Sequence, residues 1–424
     1  MSLVTPKKGY KSVPWLFGKE IEIPEDWEVK ELEKFSNIIM GMSPPSESYN
    51  KNQEGLPFYQ GVTDFGENYP NTTIWCSDPK KIAEKDQILF SVRAPVGETN
   101  ITKEQSCLGR GVCSINPLEN ELMYCYFLIS YFKKQFVVYA QGTTYDAINR
   151  NEIVGTRLPF TSNKKEQQKI ASILSNVDSL IDSTSKIIEN SKSLKTGLMQ
   201  KLLTKGIGHS KFKKVRLFPR YNEETIPEDW NVDRLDNLIR IMDYRGRTPL
   251  FSESGITHLR SNNIRDGQIN FKDITFVSEK TYEEYMTRGI PQEDDVLFTT
   301  EGPLGEVALV PKNFKFSLAQ RIIVLRPKSK IIPKFLKYLL LDRKVRTRYE
   351  GLATGTTLGG IASKWFTKLF LPYPKDISEQ QQIASILINI DAQIDSQTQY
   401  KDKLERLKKS LMQKLLTGEV RVAI

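Results

Sequence analysis

The sequence predicts an α+β chain: two globular domains alternate with two long helices paired as an antiparallel coiled coil, in an internal pseudo-twofold, circular repeat. Three observations predict it. EQQKIASILSNVDSLIDSTSKIIENSKSLKTGLMQKLLT, from Glu166, returns 213 residues later from Glu379 as EQQQIASILINIDAQIDSQTQYKDKLERLKKSLMQKLLT, with 22 of 39 positions identical. IPEDWEVKEL at Ile23 returns as IPEDWNVDRL at Ile226. GTTYDAINRNEIVGTRLPF from Gly142 returns as GTTLGGIASKWFTKLFLPY from Gly355. Repeats of this kind precede motifs in the reading of a chain, because they fix its architecture.

In chain order, residues 1–22 resemble the passage after the first long helix: KKGYKSVPWLFGKEIEIPEDW against GHSKFKKVRLFPRYNEETIPEDW. The repeat therefore reads as an opened circle, with the two termini close together. Residues 23–160 form the first globular domain and 226–373 the second, each of ordinary single-domain size. DQILFSV and DDVLFTT, in the weaker matching pair ILFSVRAPVGE and VLFTTEGPLGE, read as short strands bounded by turns. MYCYFLISYFKKQF and PKFLKYLLLDRKVRTRY read as helices. Gly, Lys and Pro make 206–225 a linker, and 418–424 a tail.

The long helices occupy 161–205 and 374–417. Asn163 and Asp376 each precede a glutamate, Glu166 and Glu379, by three residues, the spacing of a capping box. Gly206 and Gly418 supply stops. Apolar residues recur at alternating steps of four and three: Ile170, Leu174, Val177, Ile181, Ile188, Leu198 and Leu202, then Ile383, Leu387, Ile390, Ile394, Leu404, Leu411 and Leu415. That is a coiled-coil seam. A lone helix of about 57 Å would leave its seam in water, so each copy is the other's natural antiparallel partner; a parallel dimer seam is the alternative. Thr184, Ser191, Gln397 and Lys401 interrupt the seam and fix register.

Composition narrows the function. A net charge of +10 and a pI near 9.1 favour an anionic partner, nucleic acid first. The four cysteines lack paired zinc spacing. Two histidines, His209 and His258, give little support to histidine catalysis, and no GxxxxGK[ST] phosphate loop or metal site is read. PEDWEVK mimics a nuclease site through Asp26, Glu28 and Lys30, but its repeat PEDWNVD keeps only Ile, Pro, Trp and Val, a packing motif. With no apolar run of about 18 residues and no signal-like start, the expected location is cytoplasmic.

IPEDW, the GTT…I…LP approach and EQQKIASIL…LMQKLLT, duplicated in that order over essentially the whole chain, resemble the specificity subunit of Type I restriction-modification systems. The resemblance implies two target-recognition domains. Each reads one half of a bipartite double-stranded DNA site in the major groove, and the helices set the gap. It implies two methyltransferase subunits and two restriction motor subunits as partners. It also implies no catalysis and no cofactor in this chain, with S-adenosylmethionine, ATP and Mg on the partners. A coiled-coil scaffold without DNA specificity is the competing reading.

Base and phosphate contacts need Arg, Lys, Asn, Gln or hydroxyl groups on loops. The first domain offers Tyr59, Gln60 and Thr63, with Arg93 matching Glu301 of the repeat; Arg110 and Arg321 occupy similar places before strand-like runs, each a phosphate contact or a buried ion pair. The second offers Arg245 and Arg247, then Arg260, Asn262, Asn263 and Arg265. The GTT segments add Thr143, Thr144, Tyr145, Asn149 and Arg150, and Thr356, Thr357 and Lys364, as shared backbone contacts or turns. Arg343, Arg346 and Arg348 face phosphates or plain solvent. For each residue the bland alternative is a solvated loop.

Overall fold

A computed structural model describes residues 7–15, 20–139, 147–217, 223–353 and 359–424. The chain divides into two compact units, residues 1–185 with 399–424, and residues 186–398. The long helices run Lys164–Lys205 and Ile377–Leu416, so each unit owns one half of each.

Both units follow one plan. The first has a four-stranded antiparallel sheet in the order Thr99–Ile101, Ile88–Ser91, Val112–Asn116, Asn37–Met40. The second repeats it as Val307–Leu309, Val296–Thr299, Ile322–Pro327, Ile239–Asp243. The central strands Ile88–Ser91 and Val296–Thr299 are buried throughout. Leu89 packs with Tyr59 and Val112 on one face while Ile88 and Phe90 join the large core on the other. Leu297 and its neighbours Val296 and Phe298 divide in the same way. Strands covered on both faces need unbroken apolar runs, which is why DQILFSV and DDVLFTT stand out.

Each region expected as a single helix breaks into two: Leu122–Tyr131 and Lys133–Tyr139, then Pro333–Leu341 and Arg343–Glu350. At the second break Asp342 is extended and its carboxylate accepts from Lys344 N and Val345 N, restarting the helix. The linker expected over 206–225 also contains structure. Phe212–Val215 pairs with Glu224–Pro227 in the register that joins Tyr10–Pro14 to Glu20–Pro24, with Phe212 opposite Pro227 as Tyr10 is opposite Pro24. The Tyr10 hydroxyl donates to the Gly418 carbonyl (2.8 Å), so the first hairpin meets the end of the second long helix, as a circular repeat requires.

IPEDW is a packing corner: Ile23, Trp27, Ile226 and Trp230 are buried. In the first unit Ile170 and Leu174 share a core with Leu415, and Val177, Ile181 and Leu404 cluster with half-buried Leu411. In the second, Leu202 shares a core with Ile383 and Leu387, and Leu198 packs against it. Ile390 is buried, and Ile188 and Ile394 are half-buried. Within each unit the start of one helix meets the end of the other. The pairing within each unit is antiparallel.

Asp178 pairs with Lys408 at 2.5 Å in the first unit, and Lys195 with Asp391 at 2.6 Å in the second. The two pairs exchange under the 213-residue shift. Burial raises the Asp178 carboxyl, against the pull of Lys408.

One sequence expectation needs correction. Asn163 accepts from Lys165 N and Asp376 from Ser378 N, as N-caps do. Glu166 and Glu379, however, do not close capping boxes; the Glu166 carboxylate turns inward to the Trp27 indole and that of Glu379 to His209. No helix among the described residues is long and apolar enough to cross a membrane.

Candidate nucleic-acid interface

Each unit ends a parallel strand pair at a polar patch. In the first, Leu56–Tyr59 pairs with Ser106–Leu108, delivering Gln60 beside Gly109 and Arg110. In the second, Ile256–Leu259 pairs with Phe316–Leu318, delivering Arg260 beside Ala319, Gln320 and Arg321. The same local bond shapes both ends. Gln60 N donates to Asp64 Oδ2 (2.6 Å), and Arg260 N to Asn263 Oδ1 (3.0 Å).

In the first patch Gly111 lets the Gln60 carbonyl approach the Arg93 side chain: a Cβ there would stand 2.1 Å from the Gln60 oxygen and 3.8 Å from Arg93 Cδ. Gln60, Thr63, Arg93 and Arg110 are exposed. Among the described residues, the side chains of Gln60, Arg93 and Arg110 have no hydrogen-bond or ion-pair partner. Tyr59 is different: it is buried and its hydroxyl meets Thr72 Oγ1 (2.8 Å), which leaves it a core role. Asn149 caps the short helix Arg150–Val154 through a capping box with Glu152, while Arg150 is exposed. Thr143, Thr144, Tyr145, Thr356 and Thr357 lie outside the described residues.

The second patch opens on a cavity of about 440 Å³ lined by Arg247, Arg260, Asn262, Gln320 and Arg321, with His258 and Phe251 on its wall. Asn262 is exposed and its amide has no partner among the described residues. Arg321 Nε pairs with Glu301 Oε1 at 2.9 Å, and both side chains are about half exposed. Where the first patch carries two unpaired arginines, the second therefore carries a neutralised pair. Gln320 was not singled out in the sequence; its amide donates to Thr248 Oγ1 and accepts from Gly246 N. The signal for it is the repeat, in which LGRGV against LAQRI sets Gln320 at the place of Arg110. His258 lies against Ser317 Oγ (2.7 Å); burial, then Arg260, push its imidazole down to about 4.

Several donors turn inward instead. Arg245 grips Asp243, Ser363 and the Ile361 carbonyl, and these bonds hold the Asp243 carboxyl below its usual range although burial pushes it up. Arg247 donates to the Glu284 and Tyr285 carbonyls and to Thr287, closing a helix end. Asn263 is buried, with its amide spent on the Asn270 and Lys272 carbonyls. Arg265 donates to the Ile264 carbonyl in a separate depression beside the helices. Arg348 is buried against Glu224, and Arg346 pairs with Glu350 and Glu306. Lys364 is exposed over the Trp365 ring.

Two α+β units each pair a constant helix-bound frame with a different strand-end patch. Comparison with known proteins gives the family. The model for the Type I restriction modification DNA specificity domain matches twice, over residues 24–191 and 227–406. The chain belongs to that family. It is 27% identical over 418 residues to the type I restriction enzyme MjaVIII specificity subunit of Methanocaldococcus jannaschii, covering 95% of each. It is 40% identical to that organism's MjaX specificity subunit over 187 residues, 44% of that relative's length. The structure of a type I S subunit from M. genitalium shares the fold, with TM-score 0.60 and 18% identity over 92% of this chain and 96% of the other. Membership selects DNA sequence recognition over a bare scaffold and places catalysis on other subunits.

Proposed function

We propose that this chain reads a bipartite DNA target, one half through Gln60, Arg93 and Arg110, the other through Arg260, Asn262, Gln320 and Arg321. One observation carries the reading: matching strand ends present different side chains, Gln60 against Arg260, Arg93 against Glu301, Arg110 against Gln320, and Gly111 against Arg321. Unpaired arginines suit guanine edges or phosphates, and amides suit adenine. The antiparallel helices act as the ruler between half-sites.

The helices also keep exposed apolar positions: Leu180, Tyr400 and Leu407 in the first unit, Ile187, Leu194 and Ile386 in the second. Leu194 and Leu407, like Ile187 and Tyr400, exchange under the repeat. Helices of two methyltransferase subunits fit these heptad-spaced stripes. Two restriction motor subunits complete the assembly, with S-adenosylmethionine, ATP and Mg on the partners, in the cytoplasm.

Selection from a random duplex pool by the chain with its methyltransferase tests this. Two short conserved blocks at a fixed gap are expected; one continuous block contradicts it.

A further inference from the structure

The repeat builds the same acidic corner twice and neutralises it differently. In the first unit Arg421 bridges Asp26 (2.7 and 2.8 Å) and Glu166 (2.7 and 3.1 Å). The Trp27 indole N–H (3.0 Å) and the Thr161 hydroxyl (2.8 Å) also donate to Glu166. Glu166 is fully buried, and a permanent cation compensates it.

In the second unit Asp229 and Glu379 take the corresponding places, but Pro374 stands where Thr161 does and the bridging group is His209. His209 Nδ1 lies 3.2 Å from Asp229, and Nε2 2.8 Å from Glu379. Gly206, at φ +61°, permits this turn; a Cβ there would stand 2.3 Å from Glu379 Oε1. Ile207 N also donates to Oε1 (3.1 Å), while nothing among the described residues donates to Oε2. Trp230 is fully buried and its indole N–H has no partner, although its counterpart Trp27 is bonded. The corner keeps two carboxylates, loses the guanidinium and leaves a buried donor unmet. An imidazole takes the bridging place of the guanidinium.

We propose that His209, Asp229 and Glu379 form a site for a divalent transition-metal ion of the zinc class, taking the cationic role that Arg421 fills in the first unit. The three can each bring one donor atom to within 4.8 Å of the other two. Bond lengths of about 2.0–2.2 Å require them to draw closer, and the exposed Asp229 is free to move. One nitrogen and two carboxylate oxygens leave a fourth position for water, whose oxygen can accept the Trp230 N–H. Binding takes the imidazole as its neutral form, so the ring releases any proton it holds. The metal then ties the IPEDW corner to the start of the second long helix.

The test uses the full chain, freed of metal by chelation, with zinc ion alone as the probe. Calorimetry should find one zinc per chain and a raised melting temperature, and cobalt should give visible absorption of a low-coordinate site. His209→Arg restores the bridging cation of the first unit, so it should fold and melt no lower than the metal-free parent while losing at least about tenfold in zinc affinity. Asp229→Asn should weaken binding, and Glu166→Gln should leave it unchanged. No zinc uptake by the parent chain overturns the proposal, as does equal uptake by His209→Arg.

Discussion

Arg93 and Glu301 stand at the same turn of matching sheets and carry opposite charge, whereas Gln167 and Gln380 stand at the same turn of matching helices and do the same work. Gln167 accepts from Glu121 N (3.0 Å) and donates to the Thr161 carbonyl (2.8 Å); Gln380 accepts from Ile332 N (2.9 Å) and donates to the Pro374 carbonyl (2.8 Å). Asp178 and Asp391 likewise each pair with a lysine of the other long helix, and Trp27 and Trp230 are both fully buried, although only the Trp27 indole N–H has a partner. The frame must hold a domain on a helix, a task identical at both places. The strand ends have no such duty, and there the copies diverge: Gln60 against Arg260, Gly109 against Ala319.

Breaking the frame should cost most. Trp27→Ala should destabilise the first unit by about 3–5 kcal/mol in urea unfolding, because a fully buried indole and its bond to Glu166 are lost together. Acid should separate the units more gently. The free imidazole titrates near 6.5, while His258 is lowered to about 4 by burial and then Arg260. The unfolded chain therefore binds the proton first as pH falls from about 6.5 towards 4. The second unit should lose about 2 kcal/mol between pH 7 and pH 5, and His258→Asn should flatten that loss.

Changes in the patches should leave stability alone and alter binding. Arg93→Glu, which copies the second unit's charge into the first, should weaken specific binding by about 1–3 kcal/mol and lower the salt slope. Glu301→Gln should act least: it frees Arg321 from an exposed pair worth about 0–1 kcal/mol, slightly strengthening binding and steepening the salt slope. Equal salt slopes for parent, Arg93→Glu and Glu301→Gln would remove the electrostatic part of the contrast.

The architecture was legible in the sequence because repetition and heptad spacing are local signals. Ile170, Leu174 and Leu415 pack together in one core, and Leu202, Ile383 and Leu387 in another, while DQILFSV and DDVLFTT contain the buried strands Ile88–Ser91 and Val296–Thr299. What failed to show were partners distant in sequence. Glu166 has the spacing of a capping box, but Trp27 and Arg421, at opposite ends of the chain, recruit its carboxylate. Arg245, Arg247 and Asn263 read as donors on a loop. Asp243, the carbonyls of residues 284–285 and those of residues 270 and 272 take their hydrogens, and no sequence pattern announces a carbonyl. Gln320 carries no charge to mark it beside Arg321; only its register against Arg110 does.

Two different faces on one repeated frame are proposed to read two separate half-sites. Mapping methylated adenines in cells carrying the cognate methyltransferase, with the parent chain and with Arg93→Glu, tests it most directly. A split motif at a fixed gap is expected, with only one half altered or lost in the variant. A continuous motif, or a variant that changes both halves alike, would contradict it.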